Sequence, residues 1–445
     1  MATRLVLSLA LAAPVLASAA GFEVLTVGKV ARLVNRGDPA KNRAVIVVGR
    51  DRALATLHDP RCPAASTVTL EAYLQATTRD AVLASVALDC TKWRARGQGY
   101  VYRDGGGPVR AIRYATSGLR IDVRGPGFTP LAGPVGFVQA DLGIGNALLR
   151  ARFHNFRRND ASEVRSRKPS RAAAAGEVGF WDVLLGDDDT EARAIATIRR
   201  LTQAARRDPH DGRSLFLLAM MHLYRFGQQV TDYAAASVAA KTELRSANAA
   251  FAKAVPLLWN DATATGDSRV PGFAAAAEYL QGVVDGDATL RNRGFADLER
   301  AIALNPFFNV FDAIPVLQAT PPHDPLFEAA YAKVSAYLND PETLACVSTQ
   351  PEICANAGFA PHNLQGSLTL FGDVALKHGD LAPARTWYTL AAAVPGTSTW
   401  PFEPILDDRL AHVDARAALY EDADPSNDPP VIGAGREACA VCHRR

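Results

Sequence analysis

The sequence predicts an α+β multidomain protein, in which an N-terminal antiparallel β-sandwich or barrel-like domain precedes an irregular α-solenoid. Three observations support this prediction. Residues 22–158 alternate apolar and polar positions at period two, whereas residues 180–420 space their apolar residues three and four apart. Residues 159–179, between them, are charged and small and show neither pattern, so we interpret them as a linker. Period two is typical of half-buried strands, and period 3.6 is typical of amphipathic helices.

The strand pattern is clearest in four short segments of the first region. RAVIVVGR at 43–50 is an apolar, β-branched run, and alternating segments follow at 99–104, 109–115 and 118–125. Glycine and aspartate separate them, as in DGGGP at 104–108. Short alternating segments with closely spaced turn signals indicate an antiparallel sandwich or barrel.

The helical region carries tetratricopeptide-like spacings. In LTLFGDVALKHGDLAPARTWYTLAAAVP at 368–395, small residues and one tyrosine fall close to the landmark positions of that repeat, and a proline ends the second helix. These landmarks are Gly372, Ala384, Tyr388, Ala391 and Pro395. Because Pro256 and Pro315 interrupt the period, we expect an irregular α-solenoid. An ordinary α-helical domain is the alternative.

Residues 1–20 are predicted to be a secretory signal peptide. Arg4 precedes an apolar run from Leu5 to Leu16, and small residues of the Ala-x-Ala type follow. The run is shorter than the roughly 20 residues that a transmembrane anchor needs. No later stretch reaches that length, so we expect no integral membrane segment in the mature chain. A periplasmic or secreted bacterial protein is therefore expected.

The overall charge is nearly balanced. The chain carries 48 basic and 46 acidic residues, which gives a formal net charge of +2. This balance argues against nucleic acid or an anionic membrane as the main partner. The length of 445 residues suggests two or more domains with ample core.

The chain ends in ACAVCHRR, which contains Cys439, Cys442 and His443. Cys-x-x-Cys-His is the c-type haem attachment signature. Each thiol can form a thioether with a haem vinyl group, and the adjacent imidazole can bind the iron. The alternatives are a redox cysteine pair, a structural disulfide beside an incidental histidine, or half of a zinc site. Zinc would need further ligands nearby, and a redox pair usually opens a helix in a βαβ unit. We therefore expect one covalent haem c at the C-terminal tail, with His443 as its iron ligand.

Four other cysteines remain, namely Cys62, Cys90, Cys346 and Cys354, and they can pair in three ways. We expect the local pairs Cys62–Cys90 and Cys346–Cys354, because each pair falls within one predicted domain and export permits disulfides. Four buried free thiols are the alternative.

Residues 421–445 are predicted to be a flexible tail that ends in the haem motif, since 421–438 are rich in proline, glycine and acidic residues. Only Arg444 and Arg445 follow the motif, so we expect a haem pocket that comes from upstream helices or from another subunit, or that hardly exists. We favour a groove between helices.

The distal face of the haem has several candidate ligands. His362 is the most suggestive, because it starts a helix after a loop that Cys354 would fix, although a capping or surface role is the alternative. Met220 and Met221 lie in a predicted core helix, where packing is expected. Arg444 and Arg445 could pair with haem propionates or remain solvated. The remaining histidines are expected to be structural when within helices (His222, His378, His412) and solvated when in turns (His58, His154, His210, His323).

Two parts of the chain resemble known groups. DPRC at 59–62, LDCTKW at 88–93, GQGYVYRDGGG at 97–107 and GPVGFV at 133–138 resemble a small β-rich module found at the front of exported bacterial proteins. The C-terminal part resembles exported bacterial c-type haem proteins that join tetratricopeptide-like helices to a terminal haem motif, on the features CANAGFAPHNLQG (354–366), GDVALKHGD (372–380), STWP (398–401) and CAVCH. These resemblances imply an architecture and leave the activity open.

We therefore expect a haem-binding protein of electron transfer, with a helical domain that binds a redox partner protein. The alternatives are a peroxidase-like haem enzyme and a tetratricopeptide-like scaffold whose haem has a docking role. The sequence contains no Gly-x-Ser-x-Gly, His-Glu-x-x-His or phosphate-loop motif. It leaves the oligomeric state open.

Overall fold

A computed structural model describes most of the chain. The described residues are 22–25, 28–75, 78–125, 128, 134–145, 147–154, 156–186, 189–230, 232–341, 343, 363–422, 424, 427–433 and 439–444. The predicted signal peptide, His362, Cys346, Cys354 and Arg445 lie outside these residues.

The N-terminal region consists of two open, mainly antiparallel sheets. The first sheet runs in the order β1-β11-β10-β4-β15-β14, with β5 also paired to β4. Its strands are β1 (Phe22–Leu25), β4 (Ser66–Gln75), β5 (Thr78–Leu88), β10 (Phe137–Ile144), β11 (Ala147–Phe153), β14 (Trp259–Asn260) and β15 (Thr265–Gly266). The second sheet runs in the order β12-β13-β2-β3-β9-β8-β7-β6. Its strands are β2 (Gly28–Val34), β3 (Arg43–Val48), β6 (Trp93–Ala95), β7 (Gly99–Arg103), β8 (Val109–Ala115), β9 (Gly118–Arg124), β12 (Phe156–Asn159) and β13 (Glu163–Ser166).

One apolar core lies between the two sheets. Alternate residues of each strand enter it, because successive side chains of a strand point to opposite faces. Buried members from both sheets belong to a single cluster, including Leu33, Ile46, Ile121, Leu70, Leu142 and Leu149. Trp93 is 3% exposed, and its indole N–H donates to Ser66 Oγ of the opposite sheet at 3.1 Å. The sequence prediction of an antiparallel β domain is confirmed at this level.

One disulfide is present in the described part of the chain, between Cys62 and Cys90, as the local pairing predicted. It joins the loop before β4 to the turn before β6. The predicted Cys346–Cys354 pair lies outside the described residues and stays a prediction.

The structure differs from the linker predicted over 159–179. Strand β13 pairs there with β2, and the first helix begins at Arg171. The strand contributes one apolar side chain, Val164, to the core; its other side-chain contacts are polar, since the Ala31 N–H donates to Ser166 Oγ at 2.8 Å and Arg32 forms an ion pair with Glu163 at 2.7 Å. Such a strand carries no apolar alternation, so the sequence pattern did not reveal it.

The second region is helical from Arg171 onward. Its helices are α1 (Arg171–Leu184), α2 (Glu191–Arg207), α3 (Gly212–Gln229), α4 (Val238–Leu258), α5 (Val270–Asp285), α6 (Ala288–Leu304), α7 (Pro306–Asn309), α8 (Ile314–Ala319), α9 (Pro325–Leu338), α10 (Leu364–His378), α11 (Leu381–Ala393), α12 (Glu403–Glu421) and α13 (Ala440–His443). No helix of the described ranges is both long and apolar enough to cross a membrane.

Consecutive helices pack in pairs, namely α1 with α2, α3 with α4, α5 with α6 and α10 with α11. In the last pair the landmark residues meet as their spacing predicted. Tyr388 is fully buried, and a Cβ added at Gly372 would lie 2.3 Å from its ring. The small residue is therefore required for the two helices to approach. An irregular tetratricopeptide-like solenoid stays a prediction.

The first sheet turns its second face toward the helical region, and that face is polar. Arg150 pairs with Asp141 at 2.8 Å, Arg152 donates to Gln139 at 2.9 Å, and Gln139 donates to Glu71 at 3.1 Å. The β14–β15 hairpin between α4 and α5 extends this sheet, because Gly266 pairs with the end of β4.

His154 lies at this boundary, which corrects the expectation that it is solvated in a turn. Its side chain is 8% exposed, and its Nδ1 lies 3.9 Å from Asp267 Oδ2. Burial lowers the pKa of His154 to about 3; the neighbouring Asp267 opposes this effect, and Arg213, Arg269 and Arg152 reinforce it.

We expect the stability of the protein to fall as the pH drops below about 6.5. The buried His154 stays neutral in the folded state while the unfolded chain takes up a proton, so unfolding is favoured by up to about 1.4 kcal/mol per pH unit between roughly pH 6.5 and pH 3. Urea unfolding at pH 7 and pH 5 measures this dependence. The H154Q variant should show a shallower dependence than the wild type, whereas H210Q, at an exposed histidine, should not. Equal slopes in H154Q and wild type would contradict the assignment.

Candidate functional site: the C-terminal cysteine and histidine turn

Cys439, Cys442 and His443 lie on a single helical turn. The His443 N–H donates to the Cys439 carbonyl at 3.2 Å, and the Arg444 N–H donates to the Ala440 carbonyl at 2.8 Å. Residues at i, i+3 and i+4 share one face of a helix. The turn therefore brings the two thiols and the imidazole together on one side.

Asn363 holds the end of this turn against the start of α10. Its backbone N–H donates to the Cys442 carbonyl at 2.6 Å, and its side-chain amide donates to the carbonyls of Val441 at 2.7 Å and Arg444 at 2.8 Å. These are carbonyls that the end of a helix leaves without intrahelical partners. The Asn363 Oδ1 also accepts from the Gly366 N–H as the helix cap. A Cβ at Gly366 would lie 2.3 Å from the Val441 carbonyl oxygen, so the turn sits directly on α10.

Both thiols are unpaired and lie against the apolar core of the helical region. Burial raises the pKa of Cys439 to about 11 and that of Cys442 to about 12, where a hydrogen bond with Ser367 acts in the opposite direction. Reactive redox cysteines have a lowered pKa, because the thiolate is the nucleophile. The surroundings of this pair therefore favour neutral sulfur, as in a thiol or a thioether.

Two tyrosines flank the Cys439 side of the turn. Burial raises the pKa of Tyr224 to about 12, and the charge of a neighbouring Cys439 thiolate would raise it further. The pKa of Tyr233 is raised by the same two causes. The Tyr224 hydroxyl accepts from Gln228 at 2.8 Å. Sequence reasoning did not select these residues, because tyrosines in and after an apolar helix are indistinguishable from core residues.

Arg444 continues the contact beyond the turn. It forms an ion pair with Asp189 between α1 and α2, and its guanidinium lies 5.9 Å from the centre of the Phe402 ring. The side chain is 26% exposed. The sequence predicted that Arg444 would either pair with a haem propionate or remain solvated. In the structure it pairs with Asp189 instead.

The chain that leads to the turn is also held by the helices. Val431 and Ile432 are each 4% exposed. The Ile432 N–H donates to Asp373 Oδ2 at 2.7 Å, and Gln318 donates to the Ile432 carbonyl at 3.0 Å. Pro429, Val431 and Ile432 of the predicted flexible tail are therefore packed, whereas Asn427 and Pro430 are exposed.

Asp373 is the centre of this attachment. It is fully buried on α10 and accepts from Tyr388 at 2.6 Å and from Arg409 Nε at 3.2 Å. Arg409 and Arg416 of α12 also donate to the Pro430 carbonyl, at 3.3 and 3.2 Å. One buried carboxylate thus joins α10, α11 and α12 to the tail. The sequence signal that could have identified Asp373 is the position of a carboxylate on the apolar face of a predicted helix.

Other candidates from the sequence lie elsewhere. His222 Nδ1 is 2.6 Å from Glu243, and His378 lies between Asp380 at 3.0 Å and Glu328 at 3.1 Å, so both have structural partners. Met221 is 1% exposed in the core. Among the described residues, no group of three or more His, Cys, Asp or Glu side chains is placed to hold a metal ion. The candidate distal ligand His362 lies outside the described residues, and its role stays a prediction.

Comparison with known protein families, curated proteins and solved structures finds no significant match for this chain.

Proposed function

We propose that this chain is an exported c-type haem protein of electron transfer, whose haem is bound covalently by Cys439 and Cys442 with His443 as an iron ligand. When bound, haem c supplies a one-electron iron couple. Cys439 and Cys442 would hold the porphyrin, His443 would provide an imidazole ligand to the iron, and the surrounding helices would set the polarity around it. The predicted signal peptide agrees with this proposal, because covalent haem is attached after export.

The observation that carries the proposal is the arrangement of the C-terminal turn. Cys439, Cys442 and His443 share one helical face, both thiols are unpaired, and the turn is anchored through Asn363. Burial raises the pKa of both thiols, so their surroundings favour uncharged sulfur, which a thioether also is. A redox cysteine pair would need the opposite shift.

A structural disulfide between Cys439 and Cys442 is less well supported. The two sulfurs are unbonded, although the pair Cys62–Cys90 is bonded in the same structure. The helical domain supplies the second part of the proposal, because paired helices form grooves that bind partner segments. A redox partner protein that docks on these helices remains part of the hypothesis.

Optical spectra of the purified protein test the proposal. Produced in cells competent for cytochrome maturation, the protein should keep its colour after denaturation and acid–acetone extraction, and its intact mass should exceed that of the mature polypeptide by one haem. Colourless protein of bare mass would overturn the proposal. Little carbon monoxide binding by the reduced protein would favour a six-coordinate electron carrier, whereas ready binding would favour the peroxidase-like alternative. The H362A variant tests the distal ligand, since an unchanged spectrum would remove His362 from consideration.

A further inference from the structure

The outer face of the second sheet is strongly basic. Residues of this sheet alternate between the shared core and the outside, and the outward positions carry nine arginines against two carboxylates, Asp122 and Glu163. The arginines are Arg32, Arg43, Arg94, Arg103, Arg113, Arg120, Arg124, Arg158 and Arg165, and all except the partly buried Arg43 are exposed. They span the sheet from β12 to β6. The net charge of the whole chain, +2, conceals this local excess.

Several of these arginines lie directly opposite one another on neighbouring strands. Arg113 pairs in register with Arg120, and Arg43 pairs with Arg124. Arg165 lies opposite Arg158 on one side and Arg32 on the other. Directly opposed like charges destabilise a sheet. Asp122 and Glu163 offset the repulsion in three of these four pairs and leave it at Arg113–Arg120, so folding alone does not account for so many arginines on one face.

The two carboxylates neutralise only one part of the face. Asp122 accepts from Arg43 at 2.7 Å and from Arg124 at 3.1 Å, and Glu163 pairs with Arg32 and Arg158. At the other end of the sheet, Arg94, Arg103 and Arg113 have no ion-pair partner among the described residues. These three guanidinium groups are therefore available to an external anion.

The shape and composition of the face select the class of partner. The arginines are spread over eight adjacent strands, at strand separations of about 4.8 Å, whereas a small anion would need a concave site. Val30, Val45, Val47 and Val101 occupy outward positions among them and are half-buried. None of the outward positions carries an aromatic residue, the residue type that most often anchors a protein interface. Arginine binds phosphate oxygens in a bidentate manner.

From these observations we infer that the outer face of the second sheet binds the surface of a bilayer that contains anionic phospholipids. The phosphate groups of such a surface form a broad layer of negative charge, which a broad layer of guanidinium groups complements. The small apolar side chains between the arginines can approach the headgroup region without burying any polar group that lacks a hydrogen-bond partner. The inference does not depend on haem binding, because every residue that carries it belongs to the β domain.

Co-sedimentation of the mature protein with vesicles tests the inference. We expect binding to vesicles of phosphatidylcholine with 30% phosphatidylglycerol (about one lipid in three), little binding to pure phosphatidylcholine, and loss of binding in high salt. The triple variant R94Q/R103Q/R113Q should bind about 100-fold more weakly, since each arginine near an anionic surface contributes roughly a fivefold factor. The thermal stability of this variant should be equal to or higher than that of the wild type, because the repulsion between Arg113 and Arg120 is removed.

The matched control is R199Q/R206Q/R207Q, which removes the same charge from α2 of the helical domain. Retained binding in this control, together with lost binding in the sheet variant, supports the inference. An equal loss in both variants would show a net-charge effect and would overturn it. Absence of binding by the wild type, or binding to a soluble polyanion such as heparin without binding to vesicles, would also overturn it.

Discussion

Replacing Cys439 and Cys442 together with serine is expected to produce an exported protein without covalent haem. Serine cannot form a thioether with a vinyl group, so the C439S/C442S variant should lose all colour that survives acid–acetone extraction. Intact mass measures the result directly: the wild type should carry one haem per chain, and the double variant none. Each single variant retains one sulfur and should carry haem at a lower level.

The matched control replaces the other cysteine pair. C62S/C90S removes the disulfide of the β domain and should leave the ratio of haem to folded protein unchanged, even if the yield falls. H443A should keep the covalent mass and change the optical spectrum, since it removes an iron ligand but neither thiol. Haem retained at wild-type level in C439S/C442S would exclude these residues as the attachment site.

Replacement of Asp373 with alanine is expected to cause the largest loss of stability among single variants of the helical domain. Asp373 is fully buried and is the counter-charge of Arg409, which is itself 8% exposed. Removing Asp373 leaves Arg409 with the half-exposed Asp408, at 3.2 Å, as its ion-pair partner, and the loss of a buried ion-pair partner costs about 3–5 kcal/mol. The Ile432 N–H and the Tyr388 hydroxyl would lose their acceptor as well. Urea unfolding of the haem-free protein measures this loss.

A second readout separates the tail from global unfolding. Since Asp373 anchors Ile432 in the chain that leads to the turn, D373A should expose the thiols of Cys439 and Cys442 in the haem-free protein, and their alkylation rate should rise under conditions in which the helices remain folded. Y388F removes only one hydrogen bond to Asp373 and should cost about 1 kcal/mol. D414A serves as the control, because Asp414 pairs with Arg385 at the surface and such pairs contribute little. Unchanged alkylation in D373A would contradict the anchoring role.

Features that depend on local spacing could be predicted from the sequence. The apolar, β-branched run at 43–50 and the alternation at 118–125 placed β3 and β9, and the landmarks Gly372 and Tyr388 predicted a close helix pair that the structure contains. The pairing of Cys62 with Cys90 was also correct. The cysteine and histidine spacing at the C-terminus determines which side chains share a helical face, whatever the rest of the chain does.

Features that depend on contacts between distant residues could not be predicted in this way. Strand β13 is held by Ser166 and Glu163, so it shows no apolar alternation and was interpreted as a linker. His154 is buried where the chain after the β14–β15 hairpin of the helical region meets the first sheet, next to Asp267. Asn363 and Asp373 contact residues that lie about 60 to 80 positions away in the chain.

The sequence by itself determined the class of the fold and the order of the two regions, and it predicted the residues that would hold a haem, because periodicity and short motifs act within a few residues of chain. Only the tertiary structure decided which charges are buried and which are gathered on one surface. The anchoring of the tail by Asp373 and the row of arginines on the second sheet both follow from packing and strand register. Neither can be obtained from composition, since a net charge of +2 is compatible with any distribution of the charges in space.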